Sequence, residues 1–395
     1  MPPLKRIPYG KHYVDDADVE AVNEVLREGW ITQGPKLEEF EQAIAGYVGA
    51  KFAVAVSNGT AALHIACAAA GFKAGDRVVT SPNTFVASAN GAVYVGADPD
   101  FCDIDPHTLN MDAQKLAERC AVLSGVKGVI PVHFGGAPCD MPAIRKVADR
   151  HGAIVIEDAA HAVGSLYADG GRVGSCSHAH MTTFSFHPVK IMTTGEGGMV
   201  TTNDEALYRR LLRLRSHGIN KLDDPLLNAE NGYTGDEVNA WYYEMQEVGF
   251  NYRMTDIQAA LGLSQFSKLD RFLARRKALA RRYDAIWEGH PYLRPMQTDT
   301  RELSALHLYV VRIAYARAGT TRHAFMKALR ALGITTQVHY IPVHYHPFYA
   351  QRGFSRGQFP AAEDYYEEAL SLPLYYGLSD EDQDFVVESV MKLLR

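Results

Sequence analysis

The feature that most constrains this chain is a rhythm of short apolar runs and longer amphipathic stretches, beginning near residue 50 and continuing past residue 180. Phe52-Ala53-Val54-Ala55-Val56, Arg77-Val78-Val79-Thr80, Phe101 to Ile104, Gly128-Val129-Ile130-Pro131-Val132, Ala153-Ile154-Val155-Ile156 and Thr182-Thr183-Phe184-Ser185-Phe186 read as strands. Thr60 to Ala70, a segment beginning near Phe85, and Met141 to His151 read as helices between them. Continuous apolar strands separated by helices must be covered on both faces, so the pattern predicts a doubly wound, mostly parallel α/β sheet. Crossovers in such sheets are right-handed and ligands sit beyond the carboxyl ends of the strands, so chemistry is expected just after each apolar run.

The rest of the chain has a different order. Asn220 to Gly249 is rich in Asp, Glu, Asn and Gly and lacks clean periodicity before Trp241, which predicts a long excursion, either mobile or lying over the site. A long charged helix is expected from roughly Asp256 to Trp287. Beyond His290 the expected order is strand Leu306 to Ala314, helix Thr321 to Leu332, strand, loop and two terminal helices, a smaller α+β domain. The expected division is 1–265 for the large domain, with 1–35 contributing to the site, and 266–395 for the small one, its first helix linking the two.

Composition narrows the partners. A formal net charge of -6, with acidic and basic residues interleaved over 395 residues, leaves no basic face for nucleic acid or an anionic membrane. Cys67, Cys102, Cys120, Cys139 and Cys176 form no CxxC pair, and their odd number argues for free thiols in a reducing compartment. The start, Met1-Pro2-Pro3-Leu4-Lys5-Arg6, opens no apolar h-region, and nowhere do eighteen apolar residues run together. These observations predict a cytoplasmic protein.

Three stretches carry candidate chemistry. Ser57-Asn58-Gly59-Thr60-Ala61-Ala62-Leu63 is a turn of small residues opening a helix, which reads either as an ordinary cap or as an anion site for a phosphate. It is neither GxGxxG nor a Walker sequence. Asp158 ends an apolar run and is followed by Ala159-Ala160-His161. Asp158 reads as a structural cap or as a carboxylate that keeps a pyridine nitrogen protonated, with His161 placed for that ring's phenolic oxygen. Lys190 stands between Phe184-Ser185-Phe186-His187-Pro188-Val189 and Thr194-Gly195-Glu196-Gly197-Gly198, the sole lysine in an apolar, small-residue stretch. Desolvation there lowers the pKa of the amine and makes it a nucleophile toward aldehydes, which an arginine could not become. Ser185, on the preceding strand, could offer its hydroxyl to a phosphate.

Together with Gly249-Phe250-Asn251-Tyr252-Arg253-Met254-Thr255-Asp256-Ile257-Gln258-Ala259-Ala260, these motifs and their order resemble the DegT/DnrJ/EryC1/StrS sugar aminotransferases over nearly the whole chain. The resemblance implies a fold type I transaminase that binds pyridoxal 5'-phosphate, forms a homodimer with both sites at the interface, and acts on a nucleotide-linked keto-sugar. It implies Lys190 as the Schiff-base lysine and Asp158 as the partner of the pyridine nitrogen. Asn58, Gly59, Thr60 and Ser185 would serve the phosphate, Phe85 the ring face, and His161 the phenolic oxygen. Asn251 would reach the neighbouring subunit's phosphate. Related dehydratases carry histidine at the lysine position, so Lys190 points to transamination. Gly29-Trp30-Ile31-Thr32-Gln33-Gly34-Pro35, Arg215-Ser216-His217-Gly218-Ile219 and His339-Tyr340-Ile341-Pro342-Val343-His344 look most like enzymes aminating C4 of UDP-linked 4-keto-6-deoxy-N-acetylhexosamines in the pseudaminic acid route. Trp30, Thr32, Gln33, Arg253, His339 and Tyr340 are the candidate substrate contacts, and glutamate is the amino donor the resemblance implies. Arg253 is the one candidate for the donor carboxylate, by its place beside Asn251.

Rival readings are weaker on the same residues. His178-Ala179-His180 and His339, His344 and His346 invite a metallohydrolase, but no carboxylate or cysteine completes a ligand set, so no metal is expected. A binding or regulatory protein on this fold would not need the nucleophile. A desulfurase would need a catalytic cysteine loop, and none is evident; an aldolase-type reaction would keep the cofactor.

Overall fold

A computed structural model of the chain describes residues 6–220 and 225–394. The expectation drawn from Met1 to Lys5, and part of the Asn220 to Gly249 excursion, lie outside the described residues.

The N-terminal part supplies α1 (Asp16–Glu28) and α2 (Pro35–Val48) before the sheet begins. Asp15 starts α1 through a reciprocal capping box with Asp18, and Gly29 stops it at φ 105°, a left-handed conformation open to glycine. The main sheet follows: β1 (Phe52–Val56), α3 (Gly59–Ala69), β2 (Arg77–Thr80), α4 (Ala87–Tyr94), β3 (Asp98–Phe101), α5 (Ala113–Val122), β4 (Val126–Ile130), α6 (Met141–Arg150), β5 (Ile154–Asp158), β6 (Met181–Ser185), β7 (Gly198–Thr202) and α7 (Glu205–Arg215). The strand order is β1-β7-β6-β5-β4-β2-β3. β7 pairs antiparallel with both β1 and β6 and every other pairing is parallel, so only β7 runs against the rest. The mostly parallel sheet expected from the apolar runs is present, and the carboxyl ends of β1, β5 and β6 share one edge.

Both faces of the sheet are covered, as uninterrupted apolar strands require. Leu37, Phe40, Ile44 and Val48 of α2 pack with Ala55, Val155 and Phe184 on one side. The alanine-rich α3 lies on the other with Val54, Val56, Ile156 and Val200. Small side chains let α3 approach closely: a Cβ on Gly198 would meet the Asn58 carbonyl oxygen at 2.4 Å and the Gly59 nitrogen at 2.8 Å.

The excursion contains β8 (Ile219–Asn220), α8 (Ala229–Gly232), β9 (Tyr233–Thr234), β10 (Glu237–Val238) and β11 (Glu244–Met245), joined as β8 with β11 and β9 with β10. Next come α9 (Asp256–Phe266), α10 (Leu269–Trp287), β12 (Leu293–Pro295), β13 (Tyr309–Ile313), α11 (Arg322–Ala331), α12 (Pro347–Ala350), α13 (Pro360–Glu368), β14 (Ala369–Leu372) and α14 (Asp380–Leu393). β12, β13 and β14 make a three-stranded antiparallel sheet. α10 begins in the large core with Leu269, Phe272 and Leu273 and ends in a second core with Leu279, Tyr283 and Trp287. Ile7 also packs in that second core.

Three sequence expectations need correction. The strand placed at Phe101 to Ile104 is Asp98–Phe101. Asp and Pro read as strand breakers, but β3 is an edge strand, where Pro99 is tolerated. The Asp100 carboxylate there is held by Arg119 at 2.8 and 3.1 Å. The long helix from Asp256 to Trp287 is broken at Ser267 and Lys268. There the Ser267 hydroxyl donates back to the Ser264 carbonyl at 2.7 Å, and Lys268 turns to Asp15 and, at 2.9 Å, to Asp18. Finally, among the described residues no strand lies between α11 and α12, where one was expected after Leu332, and His339 to His344 is irregular. Pro342 cannot donate to a ladder, Val343 to Tyr345 is a 3-10 turn, and β14 takes the place beside β13.

The tight seat of α3 on β7 makes a prediction. Gly198→Ala should lower stability in urea by about 1–3 kcal/mol through overpacking against backbone atoms that cannot give way. Gly46→Ala, on an exposed helical glycine with nothing within 4 Å of the added carbon, should raise it by about 0.5–1 kcal/mol. Equal effects would contradict the packing described.

Candidate active site

The carboxyl edge of the sheet opens into a cavity of about 1100 Å³. On one wall Asn58 caps α3 by accepting from the Ala61 N–H at 2.8 Å, and the remaining first-turn amides have no intrahelical acceptor. This places the positive end of a buried helix at the cavity. Ser185 comes from the end of β6 to the same spot: a Cβ on Gly59 would lie 2.8 Å from the Ser185 Cβ and 3.1 Å from its Oγ. Gly59 is thus required by proximity, and the start of α3 and the end of β6, far apart in sequence, form one small cradle.

Asp158 stands at the end of β5. Its Oδ2 accepts from the Ser88 hydroxyl at 2.6 Å and its Oδ1 from the Ala160 N–H at 3.0 Å. Ser88 is held in turn against Thr84 at 2.7 Å. The carboxylate is therefore buried, oriented and hydrogen-bonded, which is what pairing with a protonated ring nitrogen needs. Lys190 sits in the β6–β7 connection, where its N–H donates to the His187 carbonyl at 2.8 Å. Burial pushes its amine down to about 8 against the opposing pull of the Asp158 charge.

Residues that follow α10 contribute the facing wall. His307, His339 and Tyr340 line the cavity with His161. Burial, and then the neighbouring Lys190 charge, push His161 well below the usual imidazole range, and His339 to about 3. Both rings are neutral at pH 7. Among the described residues no group of three His, Cys, Asp or Glu side chains is arranged to hold a metal ion.

Of the residues singled out from sequence, Asn58, Gly59, Thr60, Phe85, Asp158, His161, Ser185, Lys190, His339 and Tyr340 line this one cavity. Phe85 is 58% exposed, an aromatic face open to a ligand. Asn251 and Arg253 flank the cavity without lining it. That segment runs alongside the end of β1, with Ser57 N–H donating to the Tyr252 carbonyl at 2.8 Å. Alternation along an extended segment turns Tyr252 inward and its neighbours away. Trp30, Thr32 and Gln33 are exposed on the α1–α2 connection, which buried Asp256 ties down by accepting from the Gly34 and Lys36 N–H groups. Sequence reasoning missed Ser88, Tyr9, His307 and Tyr252. Ser88 lies one helical turn after Phe85, a spacing that could have drawn notice; Tyr9 and His307 carry no local signal.

Residues 12–391 match the DegT/DnrJ/EryC1/StrS aminotransferase family. The chain is 43% identical over 391 residues to the spore coat polysaccharide biosynthesis protein SpsC of Bacillus subtilis (strain 168), covering 98% of this chain and 97% of that protein. Its structure is similar to Helicobacter pylori PseC, described as an aminotransferase involved in the biosynthesis of pseudoaminic acid. The TM-score is 0.88 at 30% identity, with 99% of each chain covered. Spr1654 of Streptococcus pneumoniae, solved in PLP and PMP forms, gives 0.87 for both at 30% identity, covering 99% of this chain and of that chain in the PLP form. The chain belongs to the DegT/DnrJ/EryC1/StrS family and is a sugar aminotransferase of fold type I that uses pyridoxal phosphate. The cavity fits that group: a cradle that a Cβ would fill, a fixed buried carboxylate and a desolvated amine.

A direct consequence concerns the cofactor-free protein. Modification of Lys190 by an amine-selective reagent, followed by peptide mass spectrometry, should show a midpoint near pH 8. Asp158→Asn should move that midpoint lower, because the carboxylate favours the charged amine. A midpoint near the ordinary lysine value of about 10.4 would contradict the burial described.

Proposed function

We propose that this enzyme moves an amino group from glutamate to the C4 ketone of a UDP-linked 4-keto-6-deoxy-N-acetylhexosamine. The observation that carries the reading is the desolvated amine of Lys190 in one cavity with the fixed Asp158 carboxylate and the cradle at Gly59 and Ser185. When bound, pyridoxal phosphate supplies an aldehyde and an electron-withdrawing ring. The chain's own residues do the rest. Asn58, Gly59, Thr60 and Ser185 bind the phosphate, Phe85 covers the ring face and Asp158 holds a proton at the ring nitrogen. Lys190 anchors the cofactor and then, as a free amine, takes the proton from the donor's α-carbon and returns it on the far side of the transfer.

The choice of sugar rests on the likeness of the whole fold to PseC. A second reading, amination of another nucleotide-linked keto-sugar, dTDP- or GDP-linked and at C3 or C4, stands beside it because SpsC, at 43% identity, is named for spore coat polysaccharide and not for pseudoaminic acid. His339 and Tyr340 on the cavity wall are the sugar contacts in either case. The enzyme acts as a cytoplasmic homodimer, with Asn251 serving the neighbouring subunit's phosphate and Arg253, Trp30, Thr32 and Gln33 serving its substrates. Their place outside the cavity of their own chain supports this, as do the exposed apolar residues Trp30, Ile31 and Trp241. No helix among the described residues is long and apolar enough to cross a membrane. The chain divides on this reading into a cofactor domain, 1–265, and a small domain, 266–395.

Single-turnover absorbance tests the reading. Glutamate should bleach the visible band of the loaded protein and the UDP-linked keto-sugar should restore it, with Lys190→Ala cycling in neither direction. Bleaching without restoration would contradict the sugar; no bleaching would contradict the donor.

A further inference from the structure

Arg276 stands in α10 where the helix crosses from one core to the other, between Leu273 of the large core and Leu279 of the second. Packing at such a crossing asks for an apolar side chain, yet the position holds a guanidinium that is 2% exposed. Burial lowers its pKa to about 10, so it is charged at neutral pH, and among the described residues no carboxylate pairs with it. A buried charge without a counter-ion is costly unless its hydrogen bonds are made. Nη1 donates to three carbonyls, those of Leu306 at 3.2 Å, His307 at 3.3 Å and Leu374 at 3.0 Å.

Two of these acceptors belong to the segment that places His307. Leu306 has φ 53°, in the left-handed region, which a leucine keeps only where its surroundings hold it. The N–H groups on either side are held by residues far earlier in the chain: Ala305 donates to Ser165 Oγ at 3.0 Å and Leu308 to the Gly135 carbonyl at 3.2 Å. Arg276 holds the carbonyls of Leu306 and His307, and ties them through Leu374 to the end of β14. His307 then lines the cavity beside His161, the ring centroids 4.4 Å apart. Its Nδ1 has no partner among the described residues, so the backbone beneath the ring decides where it stands.

We propose that Arg276 is a positioning residue for the amination: from the crossing of the two cores its guanidinium locks the turn at Leu306, and so sets His307 on the cavity wall against which the keto-sugar is held. This rests on the reading that the sugar is aminated in this cavity. Arginine serves by reach as well as by charge. A lysine ends one atom earlier and stops short of the three carbonyls, while a methionine fills the space and leaves all three without their donor.

The test combines single-turnover absorbance of the full-length loaded protein, at varied UDP-linked keto-sugar, with the histidine NMR spectrum, in which the His307 signal is identified by its loss in His307→Ala. Arg276→Lys should take up pyridoxal phosphate fully and show the wild-type visible band, because Lys190, Asp158 and Ser185 stand on other segments. It should need about tenfold more sugar for half the maximal rate, the scale on which a small misplacement acts, and its His307 signal should move. Arg276→Met should do at least as much. His307→Ala should raise the sugar requirement too, and adding Arg276→Lys to it should raise it no further. An unchanged sugar requirement or an unmoved His307 signal in Arg276→Lys overturns the proposal. So does an additive effect in the double variant, since Arg276 would then not act through His307. Should Arg276→Met fail to fold, Arg276→Lys decides alone; loss of cofactor uptake in Arg276→Lys makes the residue a support of the fold and also overturns the proposal. If the wild-type protein does not use this sugar, the sugar reading fails, and the His307 signal in Arg276→Lys alone upholds or overturns the place given to Arg276.

Discussion

The close approach of α3 to the ends of β6 and β7 is the constraint on which the rest of the structure depends. Gly59 lies against Ser185, and Gly198 against the Asn58 backbone, at distances that leave no room for a Cβ. One contact forms the cradle at the start of α3, and the other closes the β6–β7 connection that carries Lys190. Because β7 alone runs against its neighbours, the chain turns back at that point. The lysine is therefore brought under the same edge where β5 delivers Asp158. A buried helix start, a buried carboxylate and a desolvated amine are each unfavourable when left alone. Gathered at one edge, they are suited to a single anionic ring compound.

Residues from the later part of the chain complete the enclosure. His339 is held to Ser371 of β14 at 2.8 Å, Tyr340 packs with Phe134 and Val310, and with His307 they line the cavity beside His161. Desolvation keeps the His161, His307 and His339 imidazoles uncharged. Burial of the amine itself, against the pull of the Asp158 charge, is what brings Lys190 down to about 8.

Much of the large sheet was legible because strands covered on both faces are written as uninterrupted apolar runs, and β1 and β2 fall where those runs do. Edge position defeated the reading at β3, where Pro99 and Asp100 are stabilised by pairing and by Arg119, neither visible locally. The break between α9 and α10 depends on Lys268 meeting Asp15 and Asp18 from a remote segment. In the site, residues at strand ends, such as Asp158 and Ser185, were legible from their place after apolar runs. Ser88 and Tyr9 were not, since their roles arise only from tertiary contacts. Nor could sequence reveal that Tyr252 faces inward while Asn251 and Arg253 face out.

The central claim is that the cavity at the sheet's carboxyl edge holds pyridoxal phosphate on Lys190. Borohydride reduction of the loaded protein followed by peptide mapping tests it most directly. The account predicts one phosphopyridoxyl group per chain, on the peptide that contains Lys190. The label on any other lysine, or spread over several, would contradict it.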